Sequence, residues 1–218
     1  MNRNEIYNNL KNLGFNPKVV VDCGASWGEW SSDIKPLFPL CTMVGIDANK
    51  WGNSILGADI QEIEALSDYN NKEMIFYRKK EFIEQGKFNT GDSLFLEDTP
   101  HYQEHNTIKD IVKTKTLRFI LEKHGLSKPD LLKIDTQGSE ILVMKGLGDW
   151  LKDVEFIELE ASLVEYNKGG CSFYDIIEFL KEDFEIFDII ELHRHHGYYL
   201  SQIDLIFQNK KSKIKKIK

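Results

Sequence analysis

The stretch VVVDCGASWGEW, residues 19–30, runs from β-branched residues through an acid to two glycines four positions apart. β-Branched residues favour an extended strand. Gly24 permits a tight turn after it, and Gly28 lets a helix start close against it. Such a strand-loop-helix unit belongs to a parallel α/β sheet, whose ligands bind at the carboxyl ends of the strands.

Working outward, Ile6, Leu10 and Leu13 share a helical face over residues 5–13, closed by Gly14. A helix is expected from Gly28 to Leu37, stopped by Pro36 and Pro39, and CTMVGID (41–47) is a second strand ending on Asp47. EIEALSD (62–68) and MIFYRK (74–79) read as two further strands. Lys80–Lys113 is weakly periodic and reads as an irregular insert, placed to act as a lid over an acceptor site. The remainder alternates: helix 116–125, strand 131–135, helix 139–151, strand 154–162 and helix 173–183. Strands at 184–193 and 198–208 then form an antiparallel hairpin at the sheet edge. The predicted fold is Rossmann-like α/β: a mostly parallel seven-stranded sheet, a terminal hairpin and helices on both faces.

A dinucleotide loop would read G-x-G-x-x-G, with bare backbone around a pyrophosphate. Here Ser26 takes the middle position and Asp22 precedes the first glycine by two residues. An acid there suits a cationic ligand better than a phosphate. S-adenosylmethionine carries an ammonium and a sulfonium and no phosphate. Asp47, ending the second strand, is placed to accept two ribose hydroxyls.

The net charge of −7 argues against a general nucleic-acid binder. Six lysines crowd KKSKIKKIK (210–218), which reads as a flexible basic tail; contact with an anionic surface is the alternative. One domain is expected over residues 1–209. The polar N-terminus lacks a secretory h-region and no apolar run is membrane-length, so a cytoplasmic protein without a transmembrane segment is expected. Cys23, Cys41 and Cys171 are scattered, with no C-x-x-C pair to suggest a disulfide framework or zinc.

LLKIDTQGSEILVMKG (131–146), together with VVVDCGASWGEWS, EALSD and IELEASLVEYNKG, resembles the FkbM family of S-adenosylmethionine-dependent methyltransferases. GDSLF (91–95), KTKTL (113–117) and QIDLIF (202–207) look like later signatures of that family, so the resemblance spans about residues 13–208. It implies a class I methyltransferase sheet and methyl transfer to oxygen on a sugar or small natural product. Carried over by position, Asp22, Gly24, Ala25 and Gly28 line the methionine end, with Ser26 and Trp27 in the same loop. Asp47 holds the ribose, Glu64, Ala65 and Leu66 flank adenine, and Asp135 stands beside the reaction centre. The chain departs from the family in having Asp47 where Glu is commoner and Arg118 where Asp is commoner. The short interval from Asp47 to Ala65 implies a reduced helix.

An alcohol is a poor nucleophile at neutral pH, so a general base or a divalent metal (Mg²⁺ or Mn²⁺) is expected to activate it. Asp135, Glu140 and Glu160 are the catalytic candidates, and Asp135 and Glu160 the candidate metal ligands. Glu158 reads as structurally satisfied. His193, His195 and His196 read as a solvated hairpin loop or substrate rim, with a metal or phosphate site the alternative, and His101 and His105 as surface residues, with an acceptor-facing base the alternative. Phe88, Phe95, Tyr102 and Arg78 read as a small core within the insert, with stacking on a sugar or apolar acceptor at the crevice mouth the alternative. The expected acceptor is a sugar or small-molecule hydroxyl, and no nucleic acid is expected. A polyketide-type acceptor or a non-catalytic cofactor-binding scaffold are the rivals.

Overall fold

The computed structural model describes residues 2–49, 54–86, 89–99, 102–195 and 197–214, with only the backbone of Glu104 and His195. Phe88, His101 and His196 lie outside the described residues. The chain opens with α1 (Arg3–Asn12), started by a capping box between Asn2 and Glu5, which buries Ile6, Tyr7 and Leu10. There follow β1 (Val19–Cys23), α2 (Glu29–Ile34), β2 (Thr42–Asp47) and β3 (Ile60–Ile63). Next come β4 (Glu73–Lys79), α3 (Lys80–Glu84), β5 (Thr107–Lys113), α4 (Leu117–Lys123) and β6 (Leu131–Ile134). The chain closes with α5 (Glu140–Lys145), β7 (Phe156–Ser162), α6 (Phe173–Leu180), β8 (Phe184–His195) and β9 (Tyr199–Asn209).

The seven-stranded sheet has the order β3-β2-β1-β6-β7-β9-β8. Its first five strands are parallel, while β9 pairs antiparallel with both β7 and β8. β1 is buried along its whole length, as a central strand covered on both faces must be. One face packs against α4, α5 and α6 through Leu117, Ile120, Val143 and Ile176. The other packs against α1 and α2 through Tyr7, Leu10, Trp30 and Ile34. The predicted fold class is therefore the one found.

Four expectations change. The strand expected at 62–68 covers only Ile60–Ile63. Beyond it, Glu64–Leu66 leave the sheet, and the Glu64 N–H donates to the Asp47 carbonyl at 3.0 Å. The insert is less irregular than expected: α3 follows β4, and β5 pairs antiparallel with β4 as a separate ribbon. Its periodicity is weak because the ribbon buries only a small face: Phe76 packs inward, but Asp110 interrupts the inward side of β5 and Ile111 on the other side is 76% exposed. The helix expected over 139–151 is α5 followed by a 3-10 segment, Gly148–Asp153, with Gly148 in the left-handed region at φ 58°. The basic tail is not loose from Lys210. Lys210 donates to the Lys181 carbonyl, Ser212 to Glu155, and Gln208 to the Ile214 carbonyl. Residues 215–218 lie outside the described set.

Candidate active site

The β1–α2 loop is set by three left-handed residues, Gly24 (φ 76°), Ser26 (φ 50°) and Gly28 (φ 90°). A Cβ on Gly24 would stand 1.8 Å from the Asp135 carbonyl oxygen, so the loop can lie against the end of β6 only as glycine. Ser26 takes the same conformation with a side chain, which is unfavourable for a non-glycine residue. Its N–H donates to Asp47 Oδ2 at 2.8 Å, and the Asn49 N–H donates to Oδ1 at 2.7 Å. The Asp47 carboxylate thus ties the first loop to the end of β2. Burial raises its pKa, and the two N–H bonds work against that rise.

Beside this loop lies a cleft of about 1040 Å³, including its open mouth. Gly24, Ala25, Ser26, Trp27, Asp47, Glu64, Ala65, Leu66 and Asp135 all line it. Asp22 and Gly28 do not. Asp22 is fully buried beneath the loop, where Ser31 Oγ donates to its Oδ2 at 2.8 Å and Lys133 Nζ lies 3.5 Å from Oδ1. Gly28 makes room for the backbone of Leu56. No helix occurs in residues 54–64, in keeping with the short interval noted in the sequence. Arg118 is remote from the cleft: it pairs with Glu122 at 2.8 Å and lies over the Trp150 ring.

The other side of the cleft is built from the β6–α5 loop and the insert. Asp135 Oδ2 lies 3.3 Å from Lys133 Nζ, and Oδ1 accepts from Gln137 Nε2 at 2.7 Å. Burial alone would lower the Lys133 pKa, but Asp135 and Asp22 beside it outweigh burial and raise it. Gln137, left-handed at φ 53°, also donates to Glu160 Oε2 at 3.2 Å. Its amide therefore bridges the two carboxylates expected to share a metal. Glu160 accepts a further bond from Gln202 at 2.6 Å. Its carboxyl is pushed up to about 8, first by burial and then by the charges of Asp135 and Asp204.

Glu140 does not line the cleft and is 3% exposed. It accepts from the N–H groups of Thr136 (3.2 Å) and Gly138 (3.0 Å) and from Cys171 Sγ (3.0 Å), bracing the loop from behind. Burial raises its pKa. From the insert, Ser93 Oγ donates to the carbonyls of Thr136 (3.1 Å) and Gln137 (2.7 Å). Asp92, Ser93 and Asn89 line the cleft. Tyr102 is buried and donates to Asp92 at 3.1 Å, and Phe95 packs on the small cluster of Ala65, Phe76 and Leu94. Arg78 pairs with Asp110 at 3.1 Å. The core expected of the insert is thus found in part, while His105 is exposed.

Several site residues carried no sequence signal of their own. Arg3, from α1, lines the cleft. Its Nε donates to Glu158 at 2.8 Å and its Nη2 to Asp204 at 3.3 Å. Glu158 is 2% exposed and also accepts from Tyr7 and Trp30, so it is satisfied structurally. His193 belongs to β8 rather than to a turn, and its Nε2 lies 3.1 Å from Asp204 Oδ1. Lys133 did carry a signal, being a charge inside the apolar strand LLKI.

The family model described as the methyltransferase FkbM domain matches residues 22–200. The chain belongs to this family. Among solved structures, the chain is similar to precorrin-6y C5,15-methyltransferase from Geobacter metallireducens GS-15. That likeness covers 95% of this chain and 87% of the other, at 14% identity and a TM-score of 0.45. No curated protein matches the chain. As a member of the FkbM family the protein is a methyltransferase, and the family implies use of S-adenosylmethionine. The cleft's donor set fits a ligand without phosphate. The cations that line it among the described residues, Arg3 and Lys133, are each already paired with two carboxylates. Among the described residues no helix is long and apolar enough to cross a membrane.

Proposed function

We propose that this methyltransferase transfers the methyl group of S-adenosylmethionine to a hydroxyl oxygen of a sugar or glycan. The observation that carries the reading is Asp135. It ends a central parallel strand, lines the cleft, and is held by Lys133 and Gln137 on its two oxygens. When bound, the cofactor supplies a methyl on a sulfonium, already activated towards an oxygen nucleophile. Asp47 accepts the ribose hydroxyls through the lone pairs that its two N–H bonds leave free. Ala65 and Leu66, both buried, form the apolar wall for the base, beside Glu64. Gly24, Ala25, Ser26 and Trp27 border the methionine end. Asp22 and Gly28 act from behind it, one holding Lys133 and the other the loop's close packing.

Asp135 is the group that receives the proton of the attacking hydroxyl. Lys133 and Gln137 fix its direction, so that the acceptor oxygen is presented in line with the methyl. Such orientation supplies up to ~7–11 kcal/mol in well-placed cases, and a general base adds ~10²–10⁴-fold. Glu160 and Glu140 are positioning residues in this reading: the first shares the Gln137 amide, the second braces the loop. Asn89, Thr90, Asp92 and Ser93 give the acceptor side a polar wall suited to a polyol. That polarity favours a sugar over an apolar polyketide.

The test is calorimetry with S-adenosylmethionine, followed by labelled methyl transfer onto a panel of free sugars, nucleotide-linked sugars and polyketide alcohols. Saturable binding and label on a sugar oxygen are expected. Absence of binding would overturn the cofactor assignment. Label confined to polyketides would overturn the acceptor, and binding without turnover on any acceptor would favour a scaffold.

A further inference from the structure

We propose that Glu160, His193 and Asp204 form a divalent-cation site beside the cleft, of a kind that takes Mn²⁺. Glu160 and Asp204 stand directly opposite each other in the β7–β9 ladder, and His193 pairs with Gln202, two residues along β9. Gln202 and Asp204 share one face of β9, so all three ligands lie on that face. Two acids directly opposite in a ladder repel and are unfavourable unless something neutralises them.

The geometry is that of a ligand set. One donor atom from each of the three lies within 4.8 Å of the other two. Around an octahedral cation with bonds of about 2.1–2.2 Å, neighbouring ligands stand about 3 Å apart and opposite ones about 4.3 Å. His193 Nε2 and Asp204 Oδ1 are 3.1 Å apart, the spacing of adjacent ligands. Glu160 completes the set with a small side-chain movement. Its hydrogen bonds among the described residues fall on Oε2, from Gln137 and Gln202. Asp204 Oδ2 is steadied by Arg3. One imidazole with two carboxylates suits Mn²⁺ better than the all-oxygen preference of Mg²⁺ or Ca²⁺.

Glu160 and His193 are partly exposed while Asp204 is 8% exposed, so coordination positions stay open on the side of the first two. Gln137 links Glu160 to Asp135, and Arg3 links Asp204 to the same cleft, so the cation would lie at the acceptor rim. There it would hold an acceptor hydroxyl, a use that rests on the methyltransferase reading; the binding itself does not. This set replaces the pairing of Asp135 with Glu160 expected from the sequence.

The experiment is a titration of full-length protein, stripped with EDTA and dialysed, with MnCl₂, followed by the electron paramagnetic resonance of free Mn²⁺. One saturable ion per chain is expected, and His193→Ala and Glu160→Gln should each weaken binding at least ~10-fold. S-adenosylmethionine binding by both variants, measured in EDTA, shows that they are folded and tests the cofactor reading separately. No saturable Mn²⁺ binding, or binding that His193→Ala leaves unchanged, overturns the proposal. Failure to bind S-adenosylmethionine alongside intact Mn²⁺ binding would count against the function and not against this site.

Discussion

The two ends of the cleft are built by different means. The end proposed to take the cofactor is made largely of backbone: three left-handed residues in one short loop, two N–H groups on Asp47, and a turn of chain after β3. The end proposed to take the acceptor is made of side chains from distant segments: Arg3, Asp92 and Asp135 line it, and Gln137, Glu160 and Asp204 stand behind them. Backbone geometry constrains which residue types a position accepts, whereas a side-chain assembly tolerates many solutions. The first end therefore suits an invariant ligand and the second a variable one.

Substitutions can break that comparison. The largest expected effect is at Asp135. Asp135→Asn should lower kcat by ~10²–10⁴-fold while calorimetric affinity for S-adenosylmethionine changes little. A loss of affinity with kcat retained would move Asp135 to the cofactor end. Next is Gly24→Ala, which drives a Cβ into the Asp135 carbonyl. It should lower stability by about 2–4 kcal/mol in urea denaturation and abolish cofactor binding. Wild-type stability would show that the loop has room to move.

A smaller effect is expected from Glu160→Gln, read through pH. The folded carboxyl sits at about 8, against ~4.3 for an unperturbed glutamate. Between those values the folded chain holds a proton that the unfolded chain has released. Stability contributed by that proton is present at low pH, falls as pH rises through the window, and levels off above about 8. In EDTA, the wild type should lose on the order of a few kcal/mol from this group between the two limits. Partial exposure reduces the figure. Glu160→Gln should flatten the dependence of Tm on pH, and an unchanged slope would place the titration elsewhere. The smallest effect is at Arg118, where the chain departs from its family. Arg118→Ala should alter stability by no more than about 0.5 kcal/mol and leave kcat/KM unchanged.

The same division explains what could be read from the sequence. Gly24, Gly28 and Asp47 were legible because a glycine turn and a strand-end acid are local requirements. β1, β2 and β6 were legible because central parallel strands are largely apolar runs, and β7 because its apolar residues alternate with Glu158 and Glu160. β5 was not, since Asp110 interrupts the inward row of Ile108 and Val112 while Ile111 faces outward. Gln137 gives no hint of its left-handed backbone, which is held by Asp135 within the loop and by Ser93 and Glu160 from outside it. Arg3 and Asp204 meet across 201 residues of chain, a distance over which periodicity carries no information. His193 looked like part of a turn because β8 runs further than its apolar residues do.

The contact between α1 and the sheet bears on how this protein is handled at the bench. The family match runs from residue 22 to 200. A recombinant piece trimmed to those limits would keep the glycine loop, Asp47 and Asp135. It would discard Arg3 and Tyr7, which hold Glu158, and the part of β9 that carries Asp204. Such a piece would be recognisable by homology and yet lack Arg3 from the lining of its own cleft. Affinity tags deserve the same care, because a tag fused close to Asn2 would begin one residue from a side chain that lines the cleft.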